Sequence, residues 1–418
     1  MPSYPQIQSL RIRNFKGIAK LDLPLDDSLT LLAGVNGVGK TSAIEALLIA
    51  VTDAWNRLSP DGQMAWFRPS GDMIRYGAPD GEGKVTLDLV LEDDVKVACN
   101  MLVRNGRMAE IDPDSSKVLH EYGDKIFPMP LVVYFDQNRV GGLNSRADGF
   151  SETNRKAALN TTPHALSDFK NWYYGKEGDE AREARERENL AYSDPEVRAV
   201  REVLAKVAGD SAVLRSRKPD GDMDRLLFVR RNDGFDVPFE ALSGGGKAFF
   251  LLAVDLARRL LLEFPGKSLA EAPGLICIDE IELHLHPAWQ RTILTSLVDL
   301  FPRCQFFVST HSPQVIGSVA AKHLRPPVSG ERNGDIRVAG TIASKGRDSN
   351  YVLEGILETP EQDPGVDSLF REFDELIDKG AFEEADSVLD ELDTLVEGGS
   401  PRVAVRRAKC RRLRQPSG

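Results

Sequence analysis

The sequence predicts an α/β protein: a mixed sheet with an antiparallel subdomain, interrupted by a helical insertion and followed by a C-terminal helical region. Three observations carry this prediction. First, the apolar run "LTLLAG" enters a glycine-rich loop, residues 34–42, which opens a helical stretch over 41–55 without Gly or Pro. That strand, loop and helix order is the context a phosphate loop requires. Second, "GLICIDE" (274–280) and "CQFFVSTHS" (304–312) are apolar runs ending in polar residues, as central parallel strands buried on both faces do. Third, beyond about Arg347 the strand signal stops, and residues 367–414 read as helices.

Taken in order, residues 7–23 alternate apolar and polar side chains around Gly17, as two short strands with a turn would. Residues 84–103 suggest a further pair of strands, and "MPLVVYFDQNR" (129–139) a short buried strand entering a polar loop. From about 163 to 210 the composition turns charged and helical, an insertion rather than sheet. Its Trp172-Tyr173-Tyr174 cluster suits either a partner surface or core packing. The sheet resumes with "RLLFVRRNDGFDVPF", whose Asp233-Gly234 pair favours a hairpin turn. The C-terminal helices break at Gly380 and at "EGGSP".

The 418 residues suffice for two or three compact units. With 53 basic against 64 acidic residues the net charge is −11, so no overall positive field draws the chain to nucleic acid or an anionic membrane, and any DNA contact must be local. The four cysteines are far apart and form no CxxC pair, arguing against a disulfide frame or zinc ribbon. No apolar run reaches the roughly 18 to 20 residues of a membrane span, and the start "MPSYPQIQSLRIRN" lacks the hydrophobic core of a signal peptide. The expectation is a cytoplasmic protein with no membrane partner.

"GVNGVGKT" satisfies GxxxxGK[ST]. Backbone N–H groups of residues 37–40 can wrap phosphates, Lys40 can reach the terminal ones, and Thr41 can ligate Mg²⁺. Gly34, Asn36, Gly37, Gly39, Lys40, Thr41 and Ser42 make up the expected nucleotide loop. Where "GLICIDE" ends, one carboxylate of Asp279 and Glu280 can hold Mg²⁺ while the other orients or deprotonates an attacking water. His311 follows the second apolar strand and could contact a γ-phosphate. Glu282, His284, His286 and His311 also invite a zinc reading, but no further Cys or Asp shows ligand spacing, and they are assigned to the loop after the catalytic carboxylate. In "LSGGGKAFF", Ser243, Gly244 and Gly245 give bare backbone at a helix start, a second anion site able to complete a nucleotide pocket from a neighbouring subunit. A plain flexible turn is the other reading of those glycines.

In that order, the glycine loop, "LSGGG", "ICIDE" and "STHS" resemble the ABC-type ATPase heads of the SMC, RecF and OLD families over about residues 1–320, and "LRIRNFKGI" looks like their opening strand. The resemblance implies ATP and Mg²⁺ as cofactors and an ATP-sandwiched dimer or higher oligomer. By family role Asp279 is the Walker B aspartate, Glu280 the catalytic glutamate, residues 243–246 the signature loop, His311 the switch histidine and Gln137 the Q-loop glutamine, with Thr41, Asp279 and Gln137 around the metal. Residues 1–346 would form the head and 347–418 a helical region suited to partner docking. "DEIELHLHPAWQ", "FPRCQFFVSTHSPQVI" and "SNYVLEGIL" are similar to AAA_15-like ATPases of bacterial antiphage systems, the PtuA subunits of Septu and their retron-associated relatives. That resemblance implies an oligomeric ATPase beside a separate HNH nuclease, with DNA reached through the complex.

Two departures matter. Gly246-Lys247 stands where the family usually has Gly-Gln, which implies slow turnover. After His311 no Glu plus DxD constellation follows, which implies no nuclease site in this chain. The rival reading is a RecF/SMC-like DNA-binding ATPase in DNA repair; a tandem translation factor would need a second phosphate loop. In the C-terminal region an acidic run, "LFREFDELIDKGAFEEADSVLDELDTLVE", precedes a basic one, "PRVAVRRAKCRRLRQ", and the two are expected to pair with each other.

Overall fold

The computed structural model describes residues 4–58, 73–76, 78, 81–91, 94–104, 107–111, 117, 129–137, 165–208, 214–217, 226–230, 234–241, 244–330, 334–340, 344–347, 351–352, 355–357, 364–395 and 401–414. The chain divides into two compact units, residues 1–348 and 349–418.

In the first unit, β1 (Gln6–Phe15) and β2 (Ile18–Pro24) form the expected antiparallel pair about Gly17. β1 also pairs with β4 (Glu82–Val90), and β5 (Lys96–Arg104) and β6 (Arg107–Ile111) complete a five-stranded antiparallel sheet in the order β2-β1-β4-β5-β6. Alternation puts Leu10, Ile12, Leu21, Leu23, Val85, Leu87, Met101 and Val103 on one buried face, the period of a strand with one face on the core. The core is shared with α1 (Lys40–Leu58), whose Ile44, Leu47, Leu48, Val51 and Trp55 are fully or almost fully buried.

The second sheet is parallel, in the order β13-β3-β12-β11-β7, with β3 Leu29–Ala33, β7 Leu131–Phe135, β11 Gly274–Ile278, β12 Cys304–Thr310 and β13 Leu324–Arg325. Every residue of β3, β11 and β12 is buried, as strands covered on both faces require. Gln305 on β12 reaches the first sheet: its amide accepts from the Ile7 N–H at 3.2 Å and donates to the Ile7 carbonyl at 2.7 Å. The hairpin of β14 (Pro327–Ser329) and β15 (Ile336–Val338) stands beside the glycine loop, with Ala19 N–H donating to the Gly334 carbonyl at 2.6 Å.

The third sheet, β8 (Leu214–Arg217), β9 (Leu226–Arg230) and β10 (Asp236–Pro238), is antiparallel, with Gly234 at φ +83° before β10. The predicted insertion is two helices, α2 (Ala165–Glu186) and α3 (Pro195–Ala208), packed with α4 (Gly244–Glu263). Here the aromatic cluster takes its core reading. Tyr173 is fully buried and Trp172 buried; Phe169 stacks on Tyr173 at 5.7 Å and meets Phe250 of α4 edge-on at 6.1 Å. Three short helices follow: α5 (Pro287–Gln290), α6 (Ile293–Leu300) and α7 (Pro313–Ser318). Among the described residues no helix is long and apolar enough to cross a membrane.

The second unit contains α8 (Pro364–Asp378), α9 (Phe382–Leu395) and α10 (Pro401–Arg414) around Phe370, Phe373, Leu389, Leu392, Val403 and Cys410. Gly380 at φ +74° ends α8: its N–H donates to the Ile377 carbonyl and that of Ala381 to Leu376, a Schellman cap. The charge segregation resolves as internal pairing. Arg406 meets Asp374 at 2.9 Å, Arg407 meets Asp390 and Asp393 at 2.9 and 2.7 Å, and Arg414 meets Glu383 at 2.8 Å.

Candidate functional site

Because β3, β12, β11 and β7 are parallel, their carboxyl ends share one edge of the sheet, and whatever follows each strand is gathered there. The glycine loop follows β3, residues 309–312 end and follow β12, Asp279 and Glu280 follow β11, and Gln137 follows β7. The register closes the group: the Asp279 N–H donates to the Phe135 carbonyl at 2.9 Å and the Ile281 N–H to the Ser309 carbonyl at 3.1 Å.

In the loop, Gly37 and Gly39 have φ of +82° and +94°, a region costly to residues with a Cβ. Gly39 is constrained a second way: a Cβ there would lie 3.0 Å from Ile336 Cδ1 and 3.2 Å from Ile18 Cγ1. The loop therefore rests on the β14–β15 and β1–β2 hairpins. Lys40 is buried and donates to the Gly34 and Val35 carbonyls at 2.7 and 2.8 Å. Burial pushes its ammonium down from the ordinary lysine value, while Glu282, Glu280 and Asp279 pull it back. Gly34 is buried, Asn36 and Gly37 are exposed, and Thr41 and Ser42 lie half-buried in the first turn of α1.

Asp279 is the hub. Its Oδ2 accepts from Thr41 Oγ1 at 2.8 Å and from Gln137 Nε2 at 3.1 Å; its Oδ1 accepts from Ser309 Oγ at 2.5 Å. Ser309 Oγ in turn accepts the Glu280 N–H at 2.8 Å. Glu280 has φ +48°, an uncommon conformation for a residue with a side chain; such strain persists where surrounding bonds hold it, often at active sites. Glu282 is buried, and its carboxylate accepts from Thr310 Oγ1 at 2.8 Å and from the His311 N–H at 2.6 Å. His311 Nδ1 stands 3.0 Å from Glu282 Oε1, off the line of a hydrogen bond.

The fit to a magnesium nucleotide can be tested on these atoms. A hydroxyl and a carboxylate oxygen 2.8 Å apart, Thr41 and Asp279, are hard oxygen donors of the kind Mg²⁺ takes. Beside them, two left-handed glycines and a helix N-terminus supply the backbone donors and dipole that suit phosphate. The residues fit.

The structure thus brings together the loop residues, Gln137, Asp279, Glu280 and His311. Ser243 lies outside the described residues. Gly244 and Gly245 open α4, and Gly245 packs against the segment after Glu280: a Cβ there would be 2.5 Å from the His284 carbonyl oxygen and 3.0 Å from His286 N. His284 and His286 are exposed, and His286 caps α5 by accepting the Ala288 N–H at 3.3 Å. Among the described residues no group of three or more His, Cys, Asp or Glu is arranged to hold a metal ion. Sequence reasoning missed Ser309 and the grip of Glu282. The available signal was the polar "STHS" at the end of an otherwise apolar strand.

A phosphate loop after the first strand of a parallel sheet, facing a carboxylate pair at the end of another, is the arrangement of a P-loop ATPase, here with an antiparallel sheet and helices added. The sequence matches the family described as "AAA domain, putative AbiEii toxin, Type IV TA system" over residues 107–317, half of the chain, and the family "AAA ATPase domain" over 6–171. The chain belongs to the first of these, the AAA-domain family. It is 29% identical to the protein named "Retron Vc95 probable ATPase" of Vibrio cholerae serotype O1 biovar El Tor, across 77% of this chain and 73% of that protein. It is 24% identical to the Septu protein PtuA of Bacillus thuringiensis, across 76% and 74%. Among solved structures, the SMC head domain from Thermotoga maritima superposes with a TM-score of 0.45 at 16% identity, covering 81% of this chain and all of that one.

Proposed function

We propose that this chain is the ATP-binding, slowly hydrolysing ATPase subunit of an antiphage defence complex, that it dimerises around ATP, and that it regulates a separate HNH nuclease. The observation that carries the reading is the convergence of Thr41 and Gln137 on one oxygen of Asp279, beside the glycine loop and directly before Glu280. In this reading Thr41, Asp279 and Gln137 would hold Mg²⁺, which would supply charge neutralisation at the phosphate oxygens. Lys40 and the backbone of residues 37–40 cradle the phosphates. Glu280 takes the proton of the attacking water, and His311 contacts the γ-phosphate. Residues 243–245 of a second copy close the pocket, and Lys247 in place of the family's glutamine makes closure and turnover slow.

The names of the retron and Septu relatives support the defence setting. The HNH partner rests on the family resemblance alone, and the helices of residues 349–418 are offered as its docking unit, with DNA reached through the complex in the cytoplasm. The test is to express the tagged chain with its native neighbouring genes, purify it, and measure ATP hydrolysis and particle mass. The expected result is a complex with an HNH protein, in which Glu280→Gln slows hydrolysis about 100-fold or more and accumulates an ATP-dependent dimer by mass photometry. Unchanged hydrolysis in that variant would reject Glu280 as the base, and a chain purifying alone would reject the partner.

A further inference from the structure

The element that the proposed chemistry leaves unused is Glu282. It is 6% exposed, and a buried carboxylate is costly unless it is held by donors. Its donors come from the end of β12: the Thr310 hydroxyl at 2.8 Å and the His311 N–H at 2.6 Å. Its own backbone is fixed between two left-handed residues, Glu280 at φ +48° and His284 at φ +65°, with Leu283 N–H on the Glu280 carbonyl and Leu285 N–H on that of Glu282. The turn carrying the proposed base and the strand end carrying His311 are therefore clamped together by one side chain.

Those two hydrogen bonds go to different oxygens, so an amide of the same shape could accept only one of them. A carboxylate adds negative charge, and that charge has a target. Oε1, which takes the His311 N–H, also stands 3.0 Å from the ring Nδ1 of the same residue. Nδ1 is buried while the His311 side chain is 42% exposed, so the ring turns Nδ1 toward Glu282 and leaves Nε2 as the nitrogen available to a ligand. The contact is off the line of a hydrogen bond, yet a negative charge 3.0 Å from one ring nitrogen favours the tautomer that carries the proton there over the one that turns a lone pair toward the carboxylate. Glu282 is also the carboxylate with the largest electrostatic pull on Lys40.

We propose that Glu282 is a positioning residue for ATP hydrolysis, acting through His311: it favours the ring tautomer and orientation that turn Nδ1 toward the carboxylate, so that Nε2 can meet the terminal phosphate. The inference rests on the reading of His311 given above. Glu282→Gln preserves volume, removes the charge and keeps one of the two acceptor oxygens, its amide NH2 taking the place of the other. Glu282→Asp keeps the charge and shortens the reach.

The experiment is a double-mutant cycle on the kcat of the full-length chain with wild type, Glu282→Gln, His311→Ala and the double variant. Glu282→Gln should lower kcat about tenfold, with the KM for ATP changed less than about twofold, and the double variant should be no slower than His311→Ala. Multiplying effects, or an unchanged kcat in Glu282→Gln, would overturn the proposal. An unaffected His311→Ala would overturn it too, whereas a wild type without turnover would sink the ATPase reading itself. A measurement independent of turnover is the ¹⁵N chemical shift of the His311 ring. Glu282→Gln should move Nδ1 away from its protonated position while Glu282→Asp moves it less, and identical shifts in all three proteins would count against the contact.

Discussion

Replacing Gly245 with alanine tests the packing that joins the "GGG" helix to the loop after the carboxylates. Gly245 lies in the first turn of α4, where its backbone is helical and imposes no demand for glycine. On propensity alone Gly245→Ala should stabilise by about 0.5–1 kcal/mol. The tertiary structure reverses the sign. The new methyl carbon would sit 2.5 Å from the His284 carbonyl oxygen, 3.0 Å from His286 N and 3.4 Å from Trp289 Cζ3. The first two are backbone atoms, so relief requires α4 or the 284–286 segment to move bodily, and overpacking of this kind costs roughly 1–3 kcal/mol. The net is destabilisation by about 1–2 kcal/mol, helix propensity recovering only part of the overpacking cost.

The matched control is Gly178→Ala in the middle of α2, where a Cβ meets nothing within 4 Å; there propensity acts alone and stability rises. A chain with two units need not unfold in one step, so the comparison is of apparent thermal midpoints under one condition. Gly178→Ala should raise the midpoint by about 1–2 °C and Gly245→Ala lower it by about 2–4 °C. A Gly245→Ala midpoint equal to or above that of Gly178→Ala would refute the contact between α4 and the loop following Glu280.

Lys40→Ala should abolish the thermal stabilisation that excess MgATP gives the wild type, since stabilisation follows affinity for the folded state; a nucleotide-dependent shift retained in full would dismiss the glycine loop as the binding site. Asp255 is buried beside Arg259 and Arg258 at 2.7 Å each; burial alone would raise its carboxyl, but the two guanidiniums outweigh it and hold it below the ordinary value. Asp255→Asn should cost about 3–5 kcal/mol. The wild-type advantage is full above the unfolded carboxyl value of about 3.9 and is lost as pH falls through the lower folded one, so the variant's midpoint should depend less on pH there. Burial pushes the Cys277 and Cys304 thiols far up, so at pH 8 both should resist a disulfide reagent in the native protein and react in guanidinium; fast native labelling of either would contradict their burial.

Much of the fold is readable because it is local. Residues 29–58 carry strand, loop and helix in one stretch, and only Gly at 37 and 39 suits the left-handed turns between them. The all-apolar "GLICI" and "CQFFV" announce strands with no solvent face. Gly380 marks a helix end because a Schellman cap needs a left-handed residue. By contrast, Trp172 and Tyr173 could not be assigned from the chain alone, because an aromatic cluster on a charged helix looks the same until Phe250, far along the sequence, is seen against it.

The candidate site divides in the same way. By itself the sequence determined which residue types exist at strand ends: a glycine loop with Lys40 and Thr41, the carboxylates Asp279 and Glu280, and the polar tail of β12. Only the tertiary structure decided that Ser309 links the Asp279 carboxylate to the Glu280 N–H, that Thr41 and Gln137 share one oxygen of Asp279, that Glu282 faces His311, and that Gly245 abuts His284. The reason is physical. Parallel strands are joined by long crossovers, so their order and register arise from how whole helices and sheets bury their apolar faces together. Composition and spacing along the chain fix a strand's period and its ends, whereas its neighbour is chosen by packing across a separation of tens to hundreds of residues.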